Sequence, residues 1–110
     1  MSKEKQIEEM NDLEYIRQRL APSVALCQLA EEASELSQAA LKLVRATGNG
    51  NPTPVSYDAA VDALYEEYAD VNVAVTVVLD RLGLGYDRLD DLEAGKIRRW
   101  AMRLREVDDA

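Results

Sequence analysis

Apolar side chains recur at intervals of three and four along most of this chain. Ile7, Met10, Leu13, Ile16 and Leu20 follow that spacing, which is the period of one α-helical face. A first helix is predicted from about Lys3 to Leu20, ended or interrupted by Pro22, which cannot donate to a helical ladder. Leu26, Leu29, Ala33, Leu36, Ala40 and Leu43 resume the pattern. They predict a second helix from Val24 to about Ala46, with Ser23 as its N-cap. The stretch from Thr47 to Pro54 then carries two glycines, two asparagines and two prolines. Such residues favour turns over helix or strand, so it reads as a loop within one domain.

Ser56 reads as the next N-cap, with Asp58 well placed against the positive end of a helix dipole. The segment from Tyr57 to Leu82 carries two competing patterns. Val61, Leu64, Tyr68, Val71, Val75, Val78 and Leu82 keep helical spacing throughout. Val71, Val73, Val75 and Val77 alternate, which is a strand signature in β-branched residues. The helical pattern spans the whole segment and the alternation only its end, so a helix is predicted. Each valine lowers helix propensity by up to roughly 0.7 kcal/mol relative to Ala. Packing must make up that difference, so this helix is expected to be buried and central. Gly83 and Gly85 supply the stop. A fourth helix is predicted from about Tyr86 to Arg105, with Gly95 as a bend or second start and Val107 to Ala110 as a frayed tail. The fold class is therefore all-α, and the four helices suit a bundle.

Length and composition narrow the options. With 110 residues, 47% of them hydrophobic, the chain fits a single domain, residues 1–110 with its core over 24–105. A domain this small buries a modest share of its surface, and helical chains of this length often add stability by oligomerising. The net charge of −8 provides no sequence-wide basic field for nucleic acid. An acidic domain that handles phosphates needs cations to bridge like charge to like charge. The chain has no histidine. That excludes a His general base, a His-ligated zinc and a Glu-x-x-His di-iron site. Cys27 is the one cysteine, so no intrachain disulfide forms, as suits a reducing cytoplasm. It lies in the apolar run Val24, Ala25, Leu26, Leu29 and reads as a core residue rather than a nucleophile. No apolar run reaches membrane-spanning length, and Ser2 to Glu9 is too charged for a signal peptide.

Two pairs of acids carry the chemistry. Glu31-Glu32-Ala33-Ser34-Glu35 lies on the second helix and Glu66-Glu67-Tyr68-Ala69-Asp70 on the third. Glu32/Glu35 and Glu67/Asp70 are each three residues apart, so each pair shares a helix face about 5–6 Å apart at Cβ. Two such helices packed ~8–10 Å apart bring the pairs together. Glu32 and Glu35 flank Leu29, Ala33 and Leu36, while Glu67 and Asp70 flank Leu64, Tyr68 and Val71. They therefore belong to the edge of the packed seam and not to the solvated face. Partly buried acids so close together repel and raise each other's pKa. Hard divalent cations with oxygen ligands relieve that, and Mg²⁺ leaves positions open for substrate phosphates. Read singly, each motif is also what an ordinary solvated helix face carries; it is the pair beside two apolar stripes that points to metal.

Glu-Glu-x-x-Glu on one helix followed by Glu-x-x-Asp on the next resembles the signature of the MazG-like, all-α nucleoside triphosphate pyrophosphohydrolases. The segments QLAEEASELSQAALKLVRA, GNPTPVS and LYEEYADVNVAV look like small bacterial and phage-type members. The resemblance covers about Leu26 to Leu82, and Leu36 to Glu66 is a long gap for the family. It implies that Glu32, Glu35, Glu67 and Asp70 hold Mg²⁺, with Glu31 and Glu35 as catalytic acids that orient water or accept its proton. It implies a four-helix unit assembled as a homodimer or homotetramer, with the nucleotide cleft shared between subunits. The reaction implied is cleavage between the α- and β-phosphates, giving a nucleoside monophosphate and pyrophosphate, in cleansing of the nucleotide pool. A carboxylate beside a water can accept its proton, and nothing in this chemistry needs His, Cys or Ser.

Lys96, Arg98, Arg99, Arg103 and Arg105 fall in a stretch without acids. Lys96, Arg99 and Arg103 share a face, and Lys96 and Arg99 are the candidate phosphate contacts, Arg through a bidentate fork. The same residues also suit the negative end of a helix dipole or pairing with acids elsewhere. Trp100, the one tryptophan, reads as buried against another helix, with stacking on a nucleobase as the alternative. Tyr15, Tyr65 and Tyr68 are comparable stacking candidates, and Lys42 or Arg45 could reach phosphate. The alternatives to this reading are a non-catalytic helical interaction module and a phosphoribosyl-nucleotide pyrophosphohydrolase of the kind used in histidine synthesis. Expected partners are thus a nucleoside triphosphate and further copies of the chain, with neither nucleic acid nor membrane.

Overall fold

The computed structural model describes residues 2–110, and among them the chain forms four α-helices and no strand. They are α1 (Lys3–Arg19), α2 (Pro22–Ala46), α3 (Tyr57–Arg81) and α4 (Tyr86–Asp108).

Local chemistry accounts for most of the boundaries. The Ser2 hydroxyl accepts a hydrogen bond from the Lys5 amide and opens α1. Pro22 does end α1, but it then serves as the first residue of α2. Its missing N–H is one that a helix start leaves unpaired anyway. Ala21 is consequently the N-cap, and Ser23, expected in that role, lies inside the first turn. Ser56 caps α3 as expected, accepting from the Ala59 amide at 3.2 Å. At the far end of α3, Gly83 takes φ +68°, the Gly83 amide donates to Asp80 O, and the Leu84 amide donates to Leu79 O at 2.8 Å. This is a Schellman closure, which needs a residue free to enter the left-handed region. Gly95 does not restart α4, which runs unbroken and takes in Val107 and Asp108, expected as frayed tail.

The alternating valines are helical. Val77 is buried, Val71 and Val75 are half-buried and Val73 is exposed, as residues spread around a helix are and residues on one strand face are not. Among the described residues six side chains are buried, and four of them (Ala60, Ala74, Val77, Val78) belong to α3, which is the central helix the valines required. The other two, Ala25 and Ala39, are on α2. Leu13 and Ile16 of α1 and Leu29 of α2 pack around the Ala25, Val77, Val78 cluster. The small residues let α2 and α3 approach closely, and they form the main packed pair. α1 leans on α3 alone, where Arg17 pairs with Asp80 at 3.6 Å.

α4 packs against none of the other three helices, and none of its residues is buried. A closed four-helix bundle is therefore not formed within one chain. Trp100, expected to be buried against another helix, is 65% exposed. Cys27, expected in the core, is exposed as well, because Ala25 and Leu29 of its run turn toward α3 while Val24, Leu26 and Cys27 stay exposed. The radius of gyration is 18.0 Å, against about 13 Å for a compact chain of this length. The accessible surface is 8850 Å², against roughly 6,100 Å² for a monomeric protein of this mass. No helix is long and apolar enough to cross a membrane.

Candidate metal centre

The α2/α3 contact brings three of the predicted acids together. One carboxylate oxygen each from Glu32, Glu35 and Glu67 lie within 4.8 Å of one another. The i, i+3 spacing puts Glu32 and Glu35 on one face of α2, and the close approach through Ala25, Ala60 and Ala74 brings Glu67 of α3 across to them. Glu32 and Glu67 are half-buried and Glu35 is exposed. Asp70, one turn beyond Glu67, is exposed. It lines the same cleft as Glu32, and its charge acts on that carboxylate.

Two atoms of this cluster lack partners. Glu32 Oε2 and Glu67 Oε2 are buried and accept no hydrogen bond. A buried carboxylate oxygen left unpaired is strongly unfavourable. Burial, and then the charges of Asp70 and Glu35, push the Glu32 carboxyl above its ordinary range. A hydrogen bond from Gln28 pulls in the opposite direction: its Nε2 donates to Glu32 Oε1 at 2.7 Å. All the potential donors are carboxylate oxygens, the ligand type that Mg²⁺ selects. The orphaned oxygens face a need that a hard dication would meet, so the residues present fit such an ion.

The cluster borders a cleft of about 200 Å³ between α1, α2 and α3. Glu32, Asp70 and Gln28 supply its polar side, and Ile16, Leu20 and Val77 its apolar side. A mainly apolar cleft with a few convergent polar groups is the usual form of a small-molecule site. Gln28 is the member that spacing did not single out. Its one signal is the i, i+4 relation to Glu32 on the edge of the apolar stripe.

The remaining predicted residues are not gathered here. Glu31 is exposed and outside the cluster, turned away by the 100° that separates it from Glu32. Lys96 and Arg99 are on α4, which approaches neither α2 nor α3, so one chain does not bring them beside the acids. Tyr65 and Tyr68 line a separate apolar hollow with Leu64 on the outer side of α3. Compared with protein-family models, with curated proteins and with solved structures, the chain matches none.

Proposed function

We propose that this chain is a Mg²⁺-dependent nucleoside triphosphate pyrophosphohydrolase that works as a homo-oligomer. The observation that carries the reading is the convergence of Glu32, Glu35 and Glu67, with buried, unpartnered oxygens on Glu32 and Glu67, beside a cleft that Glu32 lines. Glu32, Glu35, Glu67 and Asp70 hold the metal. When bound, Mg²⁺ supplies charge compensation for the phosphates and polarises the anhydride under attack. Glu35, the exposed member of the cluster, is free to accept a proton from an attacking water, and Glu31, outside the cluster but one turn before Glu35 on α2, is left at most to orient water at its edge. Gln28 holds Glu32 in place through its 2.7 Å hydrogen bond. Ile16, Leu20 and Val77 keep water from one side of the cleft. The large uncovered surface supports assembly into a homodimer or homotetramer.

The test is incubation with Mg²⁺ and a panel of ribo- and deoxyribonucleoside triphosphates, with pyrophosphate release as the readout. Turnover that disappears in Glu35→Gln and in Asp70→Asn is the expected result. A phosphoribosyl-nucleotide added to the panel separates the two pyrophosphohydrolase readings. Absence of turnover on every nucleotide, together with no gain in thermal stability from Mg²⁺, overturns the reading in favour of a non-catalytic helical module.

A further inference from the structure

α4 is amphipathic without a partner. At 3.6 residues per turn, Ile97, Trp100, Ala101 and Leu104 share one face, and Ile97, Trp100 and Leu104 are all exposed. Cations border that stripe on both edges: Lys96 and Arg103 on one, Arg98 and Arg105 on the other. From Ala94 to Arg105 the helix carries no acid. An apolar stripe between two basic rims is made to lie in a groove with an apolar floor and acidic walls.

The chain has a groove with an apolar floor and one acidic wall, on α1, faced by Val73 and Thr76 of α3. Between α1 and α3 runs an open channel of about 530 Å³. Leu13, Ile16 and Val73 form its floor, and Glu8, Glu9 and Asp12 line its α1 side, with Lys5 as the one cation. The pattern of anchors at i, i+3, i+4 and i+7 on α4 suits helix-in-groove recognition.

We propose that α4 of one copy seats in the α1/α3 groove of a second copy, and that the second copy returns its own α4 to the first. The proposal rests on the homo-oligomer reading and assigns its interface. The surface excess supports a second copy as occupant: 8850 Å² against roughly 6,100 Å² leaves about 2,700 Å² uncovered per chain. Obligate dimers bury 2,000–5,000 Å² or more in total, roughly 1,000–2,500 Å² from each partner, so the excess is more than enough for a stable dimer. Charge complementarity supports the pairing and sets its orientation. Ile16 and Val73 line both this groove and the carboxylate cleft, so a seated α4 lies next to the acids its own chain keeps from it.

Sedimentation equilibrium on the full chain tests this. Trp100→Ala is expected to raise the dissociation constant about 30-fold or more, as loss of a buried Trp anchor does. Glu9→Lys/Asp12→Lys and Arg103→Glu/Arg105→Glu are each expected to sediment as monomers, because each sets like charges across the contact. Mixing the two charge-reversed chains is expected to restore the dimer, since each α4 then meets a groove of opposite sign. That recovery also shows that both variants are folded. A wild-type monomer overturns the proposal and the oligomer reading together. A wild-type oligomer unmoved by these changes overturns this interface and leaves the oligomer standing. Dissociation with no recovery on mixing overturns the charge pairing on which the proposal stands.

Discussion

The α2/α3 pair and α4 have the same kind of sequence and opposite fates. Both carry apolar residues every three or four positions, and both are long helices. α2 and α3 bury small residues against each other, and that contact draws Glu32, Glu35 and Glu67 to within 4.8 Å. α4 buries nothing. Periodicity specifies that a helix has a face to cover, and it does not specify what covers it. Ala25, Ala39, Ala60 and Ala74 let two backbones come close, whereas α4 offers Trp100, Ile97 and Leu104 over a four-residue connection from Leu82 to Gly85. Bulky side chains need a groove, and the groove this chain displays is on α1 and α3.

The sharpest way to break the contrast is to place the same charge on each side of it. Val77→Asp puts an unpaired carboxylate in the α2/α3 seam and is expected to cost more than about 4 kcal/mol. In urea unfolding followed by circular dichroism that variant should show little folded baseline. Ile97→Asp, measured at concentrations where the chain is monomeric, should shift stability by no more than about 0.5 kcal/mol. Equal losses would mean that α4 is packed within its own chain.

Metal binding sharpens the same comparison at the seam. Mg²⁺ at a hundred times its dissociation constant is expected to stabilise the fold by about 2.7 kcal/mol. A thermal melt with and without Mg²⁺ reads this, and Glu67→Gln should erase the difference. The Lys96→Ala chain, altered on α4, should keep it when studied as a monomer. A smaller effect belongs to the helix ends that set α3 in register. Ser56→Ala should lower stability by about 1 kcal/mol through loss of its bond to the Ala59 amide. Gly83→Ala should cost roughly 1–2 kcal/mol because φ +68° is strained for any side chain. Melting temperatures of the two variants against the unaltered chain check both values, and Gly95→Ala, a mid-α4 change with open space for a Cβ, should instead raise stability by the roughly 0.5–1 kcal/mol that Ala gains over Gly in a helix.

The pH dependence is the mildest signal. The folded state raises the Glu32 pKa, so it holds that proton more tightly than the unfolded chain does. The associated stability is fully present below the ordinary glutamate range. It is lost as pH rises through the raised value. Without divalent metal the melting temperature should fall over that interval, and Glu32→Gln should flatten the slope. Added Mg²⁺ should reverse the sign, because the metal competes with the proton and gains as pH rises.

Much of the fold was legible in the residues. Helical spacing in competition with alternating valines was decided correctly for α3, since a period kept over a whole segment outweighs one confined to its end. Ser56, Pro22 and Gly83 marked boundaries through donors and dihedral angles that are local properties. Ser23 and the end of α4 were the exceptions: α4 runs on to Asp108. Proline's fitness for the first helical position moved the cap back to Ala21. The acid pairs were legible for the same local reason, that i and i+3 share a face. Gln28 was not singled out, because an amide one turn from a carboxylate is common and only burial gives it a task.

The sequence by itself determined four helices, their approximate ends, and the four acids that share faces on α2 and α3. Those properties depend on neighbours within a turn or two of chain. Only the tertiary structure decided which acids meet, which oxygens lose water, and which apolar faces stay open. Cys27 and Trp100 were misplaced from sequence because burial depends on whether another surface arrives, and that is set by the whole packing arrangement. The carboxylate cluster and the uncovered α4 are two outcomes of that one fact.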